Sequence, residues 1–341
     1  MMTAQHQLQP YWDLAASGIR AEALRLALEA GVFIRLQQPL TGRELATRLN
    51  WVTANTEYLL ELLWSMALLQ RHRHPRCPEF RYCVNALSRR YWCEGEYRCT
   101  ESWLFRHQAL RQTAAGLESQ LHSPRPARNP PLASGHDWAR AARRQLAQEQ
   151  RTVSAPAAIT LSSAIPEFTT ARTLLDLGGG PGLIAIALAL HHAQLGITLF
   201  EWPETAAIAR ENIAAAGLQQ RINTRDGDLN QADLGQGYDI IWGSSVLHFA
   251  TDPLRLLRRI HEALAPGGVF ISLHAERSQQ AETDARVLPY YLPLLLAGRF
   301  VPTAGELEAL LHQAGFDTVA QAGHHEFALV PLNVLLARKR P

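Results

Sequence analysis

The sequence predicts an α/β protein: a doubly wound, mostly parallel sheet closed by a terminal antiparallel hairpin and preceded by a mainly helical domain. Three observations carry this. Residues 11–70 repeat their apolar side chains at helical spacing. From residue 172 the pattern changes to strand-length apolar runs alternating with helical stretches, the order of a parallel sheet covered on both faces. The last two runs, FDTVAQAGHH and FALVPLNVLLARK, follow one another with no helix between, so they read as a hairpin.

In the N-terminal part, AEALRLALEAGVF stops as a helix near Gly31, a residue suited to a helix C-terminus. TGRELATRLN opens a second helix with Thr41 as N-cap and Glu44 three positions on, the spacing of a capping box. A third helix is expected in NTEYLLELLWSMALLQ, and RHRHPRCPEFRYCVN alternates like a short hairpin. Helix, helix, hairpin in this order suggests a winged helix-turn-helix over residues 1–100. Charge argues against DNA binding. Residues 1–100 hold 12 arginines against 9 acidic residues, and the would-be recognition helix has two acids and no basic residue. Such a helix repels the phosphates that supply most non-specific DNA affinity. Packing and dimerisation is the better reading.

Residues 101–165 read as a helical connector, ESWLFRHQALRQTAAGLESQL then HDWARAARRQLAQEQ, split by the proline-rich SPRPARNPPLASG that no helix traverses. The connector is expected to contribute to a substrate pocket. Residues 166–341 form the α/β domain, with strands in RTLLDLG, GITLFEW, RINTRDGD, YDIIWGSS and GGVFISLHA and helices at 182–193, 204–216 and 253–264.

Length and composition set the class. A chain of 341 residues is long enough for two domains, each with its own core. With 47% hydrophobic and 19% charged residues it is globular, and no run nears the 18 apolar residues that span a bilayer. The start, MMTAQHQLQPYWDL, lacks the basic and apolar segments of a secretion signal, so a soluble, cytoplasmic protein is expected. A formal charge of +2 gives no reason to expect nucleic acid or a membrane surface as partner. Cys77, Cys83, Cys93 and Cys99 are spaced C-x5-C-x9-C-x5-C, without the close pairs of structural zinc sites, and are expected as reduced thiols with no metal.

The stretch LLDLGGGPGLI at 174–184 decides the ligand. A dinucleotide fingerprint G-x-G-x-x-G starting at Gly178 and Gly180 needs a third glycine at 183, where Leu183 stands. The stretch instead runs Asp176, Gly178, Gly180, Gly182 at every second position. Glycines let a backbone approach its ligand closely, and an acid beside them suits a cation better than a pyrophosphate. S-adenosylmethionine carries an ammonium and a sulfonium and no phosphate. Glu201, at the end of the second strand, is placed to accept from two ribose hydroxyls. Asp228, after the third strand, is placed to accept from an adenine amino group.

At this point the chain resembles the class I S-adenosylmethionine methyltransferases, specifically the small-molecule O-methyltransferases of plant caffeate and bacterial natural-product type. LEAGVFIRL, TGRELATRLN and LLWSMALL are similar to that family's winged-helix dimerisation domain. DLGGGPG, LFEWPETAAIA, DGDL, VLHFATD, LAPGGVFI and LHQAGF are similar, in order, to its Rossmann-like catalytic domain. The resemblance covers almost the whole chain. It implies S-adenosyl-L-methionine as methyl donor, S-adenosyl-L-homocysteine as product, and a homodimer whose N-terminal domains help close the substrate pocket. It also implies cofactor contacts at Asp176, Gly178, Gly180, Glu201 and Asp228, with Leu229 and Ser244 beside them.

An aromatic hydroxyl needs help losing its proton near neutral pH, which suits a histidine. His248, in SSVLHFATD, follows the fourth strand. In the resembling enzymes the stretch reads roughly LHDWSD and its histidine is the general base; here Leu247, His248 and Asp252 are kept, while Phe249 and Ala250 replace an aspartate and a tryptophan. After the fifth strand His274 stands where that family would place a glutamate, with Glu276 two further on, and GRFVP offers no second glutamate. His248 is therefore read either as general base or as a residue that only orients the acceptor. Acceptor contacts are expected from ARVLPYYLPLLLAGRF, with Tyr290, Tyr291 and Phe300, and from Trp103 or Phe105 on the connector.

The resulting expectation is a homodimeric O-methyltransferase acting on an aromatic or heteroaromatic hydroxyl, such as a phenol, a polyketide or a hydroxypyrrole-type pigment precursor, in secondary metabolism. The alternatives are methylation of nitrogen or carbon, or a cofactor-sensing winged-helix DNA-binding regulator.

Overall fold

The computed structural model describes residues 6–73, 79–122, 135–326 and 329–341. The chain divides into two compact units, Met1–Gln108 and Ala109–Pro341, the boundary falling within the helix Thr100–His122.

In the first unit the helix Gln9–Glu29 ends just before Gly31, whose φ of +65° no β-branched residue would tolerate. Strand β1 (Leu40–Thr41) leads into the helix Gly42–Leu49 through the capping box read from the sequence. The Glu44 N–H donates to Thr41 Oγ1 at 3.1 Å and the Thr41 N–H donates to Glu44 Oε2 at 2.8 Å. After the helix Thr53–Ser65 come β2 (Leu69–Arg73) and β3 (Phe80–Val84), in an antiparallel sheet of order β1-β3-β2. The third helix is thus shorter than its apolar run, whose last residues, Leu69 and Gln70, pair as strand with Val84 and Cys83. Phe33, Leu36, Leu45, Leu60 and Leu63 centre the core. Cys83, Cys93 and Cys99 are reduced thiols, and burial pushes the Cys93 thiol up. Cys77 and the proline-rich stretch 123–134 lie outside the described residues.

The second unit is built on a seven-stranded sheet. Its strands are β4 (Thr173–Leu177), β5 (Gly196–Glu201), β6 (Ile222–Asp226), β7 (Tyr238–Ser244), β8 (Leu264–His274), β9 (Thr318–Glu326) and β10 (Pro331–Arg338). Their order is β6-β5-β4-β7-β8-β10-β9. The first five pair in parallel, and β10 pairs antiparallel with both β8 and β9. The strand period of two sorts the side chains onto two faces. Leu174, Ile197, Ile240, Trp242, Ile271 and Val334 join one apolar cluster; Leu175, Phe200, Ile241, Phe270 and Leu335 join the other. Helices Leu183–His191 and Ala155–Ser163 cover the first face, Pro253–Ala263 and Glu306–Ala314 the second. Burial on both faces is why these strands read as continuous apolar runs.

The chain leaves β4 toward β5 and β6, then returns so that β7 lies on the other side of β4. A switch point of this kind opens a crevice at the carboxyl ends of the strands. Among the described residues no helix is long and apolar enough to cross a membrane, and no three histidine, cysteine or acidic side chains group to hold a metal.

Candidate active site

The carboxyl ends of β4, β5, β6, β7 and β8 bring Gly178, Glu201, Asp228, Ser244 and His274 to one edge of the sheet. After β4 the chain turns through Gly178, Gly180 and Gly182 with φ of +72°, +59° and +82°, angles that glycine alone adopts without strain. At Gly178 a Cβ would come within 2.8 Å of Val246, and at Gly179 within 2.7 Å of the Asp176 carboxylate. The bare backbone is what lets these elements meet.

Asp176, at 2% exposure, lies beneath this turn. Its Oδ2 is buried with no hydrogen-bond partner. Burial first, and the neighbouring Glu201 carboxylate second, push its pKa up to about 7, against the pull of the Ala185 N–H. Glu201 accepts from the Gly180 N–H at 2.9 Å and the Trp202 N–H at 2.8 Å; burial raises its pKa in spite of these two bonds. The glycine turn thus lies over two buried carboxyls that repel one another, one with an orphaned oxygen.

Asp228 Oδ1 accepts from the backbone N–H and the side-chain amide of Asn230, both at 2.9 Å. The Asn230 amide also donates to the Phe249 carbonyl at 3.3 Å, while its Oδ1 accepts from the Thr251 N–H at 2.8 Å. Asn230 thus joins the loop after β6 to the loop after β7. Leu229 is buried in the core beneath, and Ser244 is half-buried at the end of β7.

His248 sits in the short 3₁₀ turn Leu247–Phe249. Its ring lies 4.2 Å from that of Phe249 and 6.1 Å, edge-on, from that of Tyr291. Trp138 meets Phe249 edge-on at 5.6 Å. Among the residues predicted for an acceptor, Tyr291 is thus brought beside His248. Tyr290 and Tyr291 pack on one apolar cluster and Phe300 on the other, the cluster that also holds Leu247 and Phe249. The acceptor segment is itself a helix, Ala281–Leu296, with Pro289 and Pro293 inside it, each removing one backbone hydrogen bond. Trp103 belongs to the first unit, where it stacks on His107 at 4.8 Å.

Three residues of this edge had no signal in the sequence. The Gln150 side chain donates to the Gly179 carbonyl at 3.0 Å and accepts from the Leu183 N–H at 3.0 Å, clamping both ends of the glycine turn. Asn230 follows the DGDL motif without belonging to it, and Trp138 stands in an otherwise polar connector helix. His274, at 3% exposure, accepts the Val246 and Leu247 N–H groups on Nε2, each at 3.1 Å. Burial first, and the neighbouring His248 imidazole second, push its pKa down to about 3, so it is neutral.

Comparison with known proteins agrees with this architecture. A family profile described as an O-methyltransferase domain matches residues 136–317, and one described as an O-methyltransferase dimerisation domain matches residues 12–93. The S-adenosyl-L-methionine-dependent methyl transferase PigF of Serratia sp. is 31% identical over 160 residues, a match spanning 44% of each chain. The 3-hydroxy-5-methyl-1-naphthoate 3-O-methyltransferase of Streptomyces sahachiroi is 27% identical over 316 residues, 90% of this chain and 89% of that one. The structure of human N-acetylserotonin methyltransferase in complex with SAM superposes with a TM-score of 0.79 at 21% identity, covering both chains fully. On the profile match to more than half of its length, this chain belongs to the O-methyltransferase family.

Proposed function

We propose that this protein transfers the methyl group of S-adenosylmethionine to a hydroxyl of a flat aromatic or heteroaromatic small molecule. The observation that carries the reading is the buried, unpartnered Asp176 oxygen under a turn where a Cβ on Gly178 or Gly179 would clash. Such a place accepts the ammonium of an amino-acid moiety and leaves no room for an ordinary side chain. Gly178 and Gly180 lie along the ligand, Glu201 takes its ribose hydroxyls, and Asp228, with Leu229 and Ser244 beside it, takes its adenine end. When bound, the sulfonium supplies an activated methyl with its own leaving group.

The protein's own task is to orient the acceptor, exclude water and hold its proton. His248 receives that proton. Phe249 and Tyr291 flank its imidazole with ring faces and edges, surroundings that favour a planar apolar acceptor over a charged one. Tyr290 and Phe300 extend that wall. Relatives acting on a hydroxynaphthoate and on N-acetylserotonin, by their names, are in keeping with a natural-product aromatic. Residues 1–100 serve as the dimerisation domain, residues 101–165 as a connector contributing to the pocket, and residues 166–341 as the catalytic domain of a cytoplasmic homodimer.

The test is transfer of isotopically labelled methyl from S-adenosylmethionine to a panel of phenols and hydroxy-heteroaromatics, read by mass spectrometry with fragmentation. Label recovered as an ether, and a kcat about 10²–10⁴-fold lower in His248→Ala, is the expected result. Label on nitrogen or carbon overturns O-methylation, and an unchanged kcat in His248→Ala removes the base.

A further inference from the structure

At the end of β8, where the family resemblance calls for a glutamate, stands His274, and its surroundings determine its role. Its Nε2 accepts two backbone N–H groups, from Val246 and Leu247, at 3.1 Å each. In a neutral imidazole an accepting Nε2 puts the proton on Nδ1, and Nδ1 lies 2.9 Å from Ser272 Oγ, a buried hydroxyl two residues back on the same strand. Ser272 therefore holds the tautomer, and the tautomer holds the loop.

The loop needs holding. Ser245 carries a left-handed φ of +51°, a strained conformation for a residue with a Cβ. Its N–H is secured on the Leu273 carbonyl at 2.9 Å. Val246 and Leu247, the two residues that donate to His274, are 2% and 0% exposed, so their N–H groups have no water to turn to. The Val246 side chain also stands where a Cβ on Gly178 would be. One imidazole thus ties the end of β8 to the turn before His248 and, through Val246, to the glycine turn.

We infer that His274 is a positioning residue: an acceptor for two backbone N–H groups that sets the place of His248 by geometry, in a position where a carboxylate would act by charge. The inference rests on the role proposed above for His248. Its structural half stands on the free protein alone, and the test separates the two.

The experiment uses the full chain with ¹⁵N-labelled histidine. The ring signals that vanish in His274→Gln identify His274, and its Nε2 is expected unprotonated and its Nδ1 protonated. Amide exchange over residues 244–250, followed by mass spectrometry, is expected to quicken in His274→Ala. It should return toward wild type in His274→Gln, whose amide oxygen can accept both N–H groups. On whichever phenol of the panel takes up label, kcat falls about tenfold or more in His274→Ala with a smaller change in KM for S-adenosylmethionine, and His274→Gln restores it. A protonated Nε2, amide exchange unchanged by His274→Ala, or a glutamine that fails to slow it overturns the anchor. An intact anchor with kcat equal in all three proteins overturns the positioning role. Absence of label on every phenol condemns the proposed activity and leaves the anchor to be decided by the exchange data.

Discussion

Asp176 shows how much chemistry one buried side chain can store. A carboxyl whose pKa has been pushed up to about 7 is largely protonated at pH 6, whereas the partner of an ammonium is ionised. Binding of S-adenosylhomocysteine, which keeps the amino-acid ammonium, is therefore predicted to expel a proton. The sign follows: affinity rises as pH is raised toward about 7 and levels off above it, because the ionised form is then already present. Calorimetry at pH 6 in two buffers of different ionisation heat should give different apparent enthalpies. Asp176→Asn, with no proton to release, should bind more weakly and lose the buffer dependence. Equal enthalpies for the wild-type protein would mean that the ammonium does not meet this carboxyl. At the same scale, His274 was legible as an unusual residue in the strand motif. That it faces two backbone N–H groups, and does not present a charge to His248, was not.

Among the elements, the helical segments before the sheet do more than connect. Between Ala141 and Ala155 the helix passes through two π-helical stretches, Ala142–Leu146 and Gln150–Ser154, local widenings that re-aim the side chains they carry. Arg143 from the first forms an exposed ion pair with Glu211 of the helix Pro203–Ala215 at 2.6 Å. Gln150 opens the second and reaches the glycine turn, giving Leu183, at the start of the helix Leu183–His191, an acceptor for one of its otherwise unpaired N–H groups. Gln150→Ala leaves that donor and the Gly179 carbonyl without their partner. The expected cost is about 1–3 kcal/mol of stability, read as a lower Tm, with weaker binding of S-adenosylhomocysteine. A Tm and an affinity both unchanged would show that water replaces the clamp. The capping box at Thr41 and Glu44 was legible because both partners lie within one turn. The Gln150 clamp was not, since it joins residues 29 and 33 positions apart, brought together by the placement of a helix on a sheet.

At the scale of the whole molecule, the first unit presents apolar side chains that its own core does not use. Tyr11, Trp12, Leu14 and Ile19 on the helix Gln9–Glu29 are each more than 65% exposed, a concentration that marks an association surface. In the proposed homodimer this helix is covered by the second copy. Trp12→Glu combined with Ile19→Glu is predicted to lower the mass measured by light scattering from twice 38.0 kDa to 38.0 kDa, with the circular dichroism of the fold kept. A dimer that survives both changes would place the interface elsewhere.

The sequence by itself determined the order of strands and helices, the parallel sheet with its antiparallel close, and the glycine turn with acids at the neighbouring strand ends. These are written in short-range periodicity and in the backbone freedom of glycine, which act within a few residues and need no knowledge of the fold. Tertiary structure alone decided which side chains the strand ends bring together. Tyr291 stands edge-on to His248, and Trp138 meets Phe249. Asn230 links two loops, and His274 serves as an acceptor inside the protein. Each of these depends on distances between segments far apart in the chain, set by how helices settle on the sheet, and a one-dimensional pattern carries no such distances.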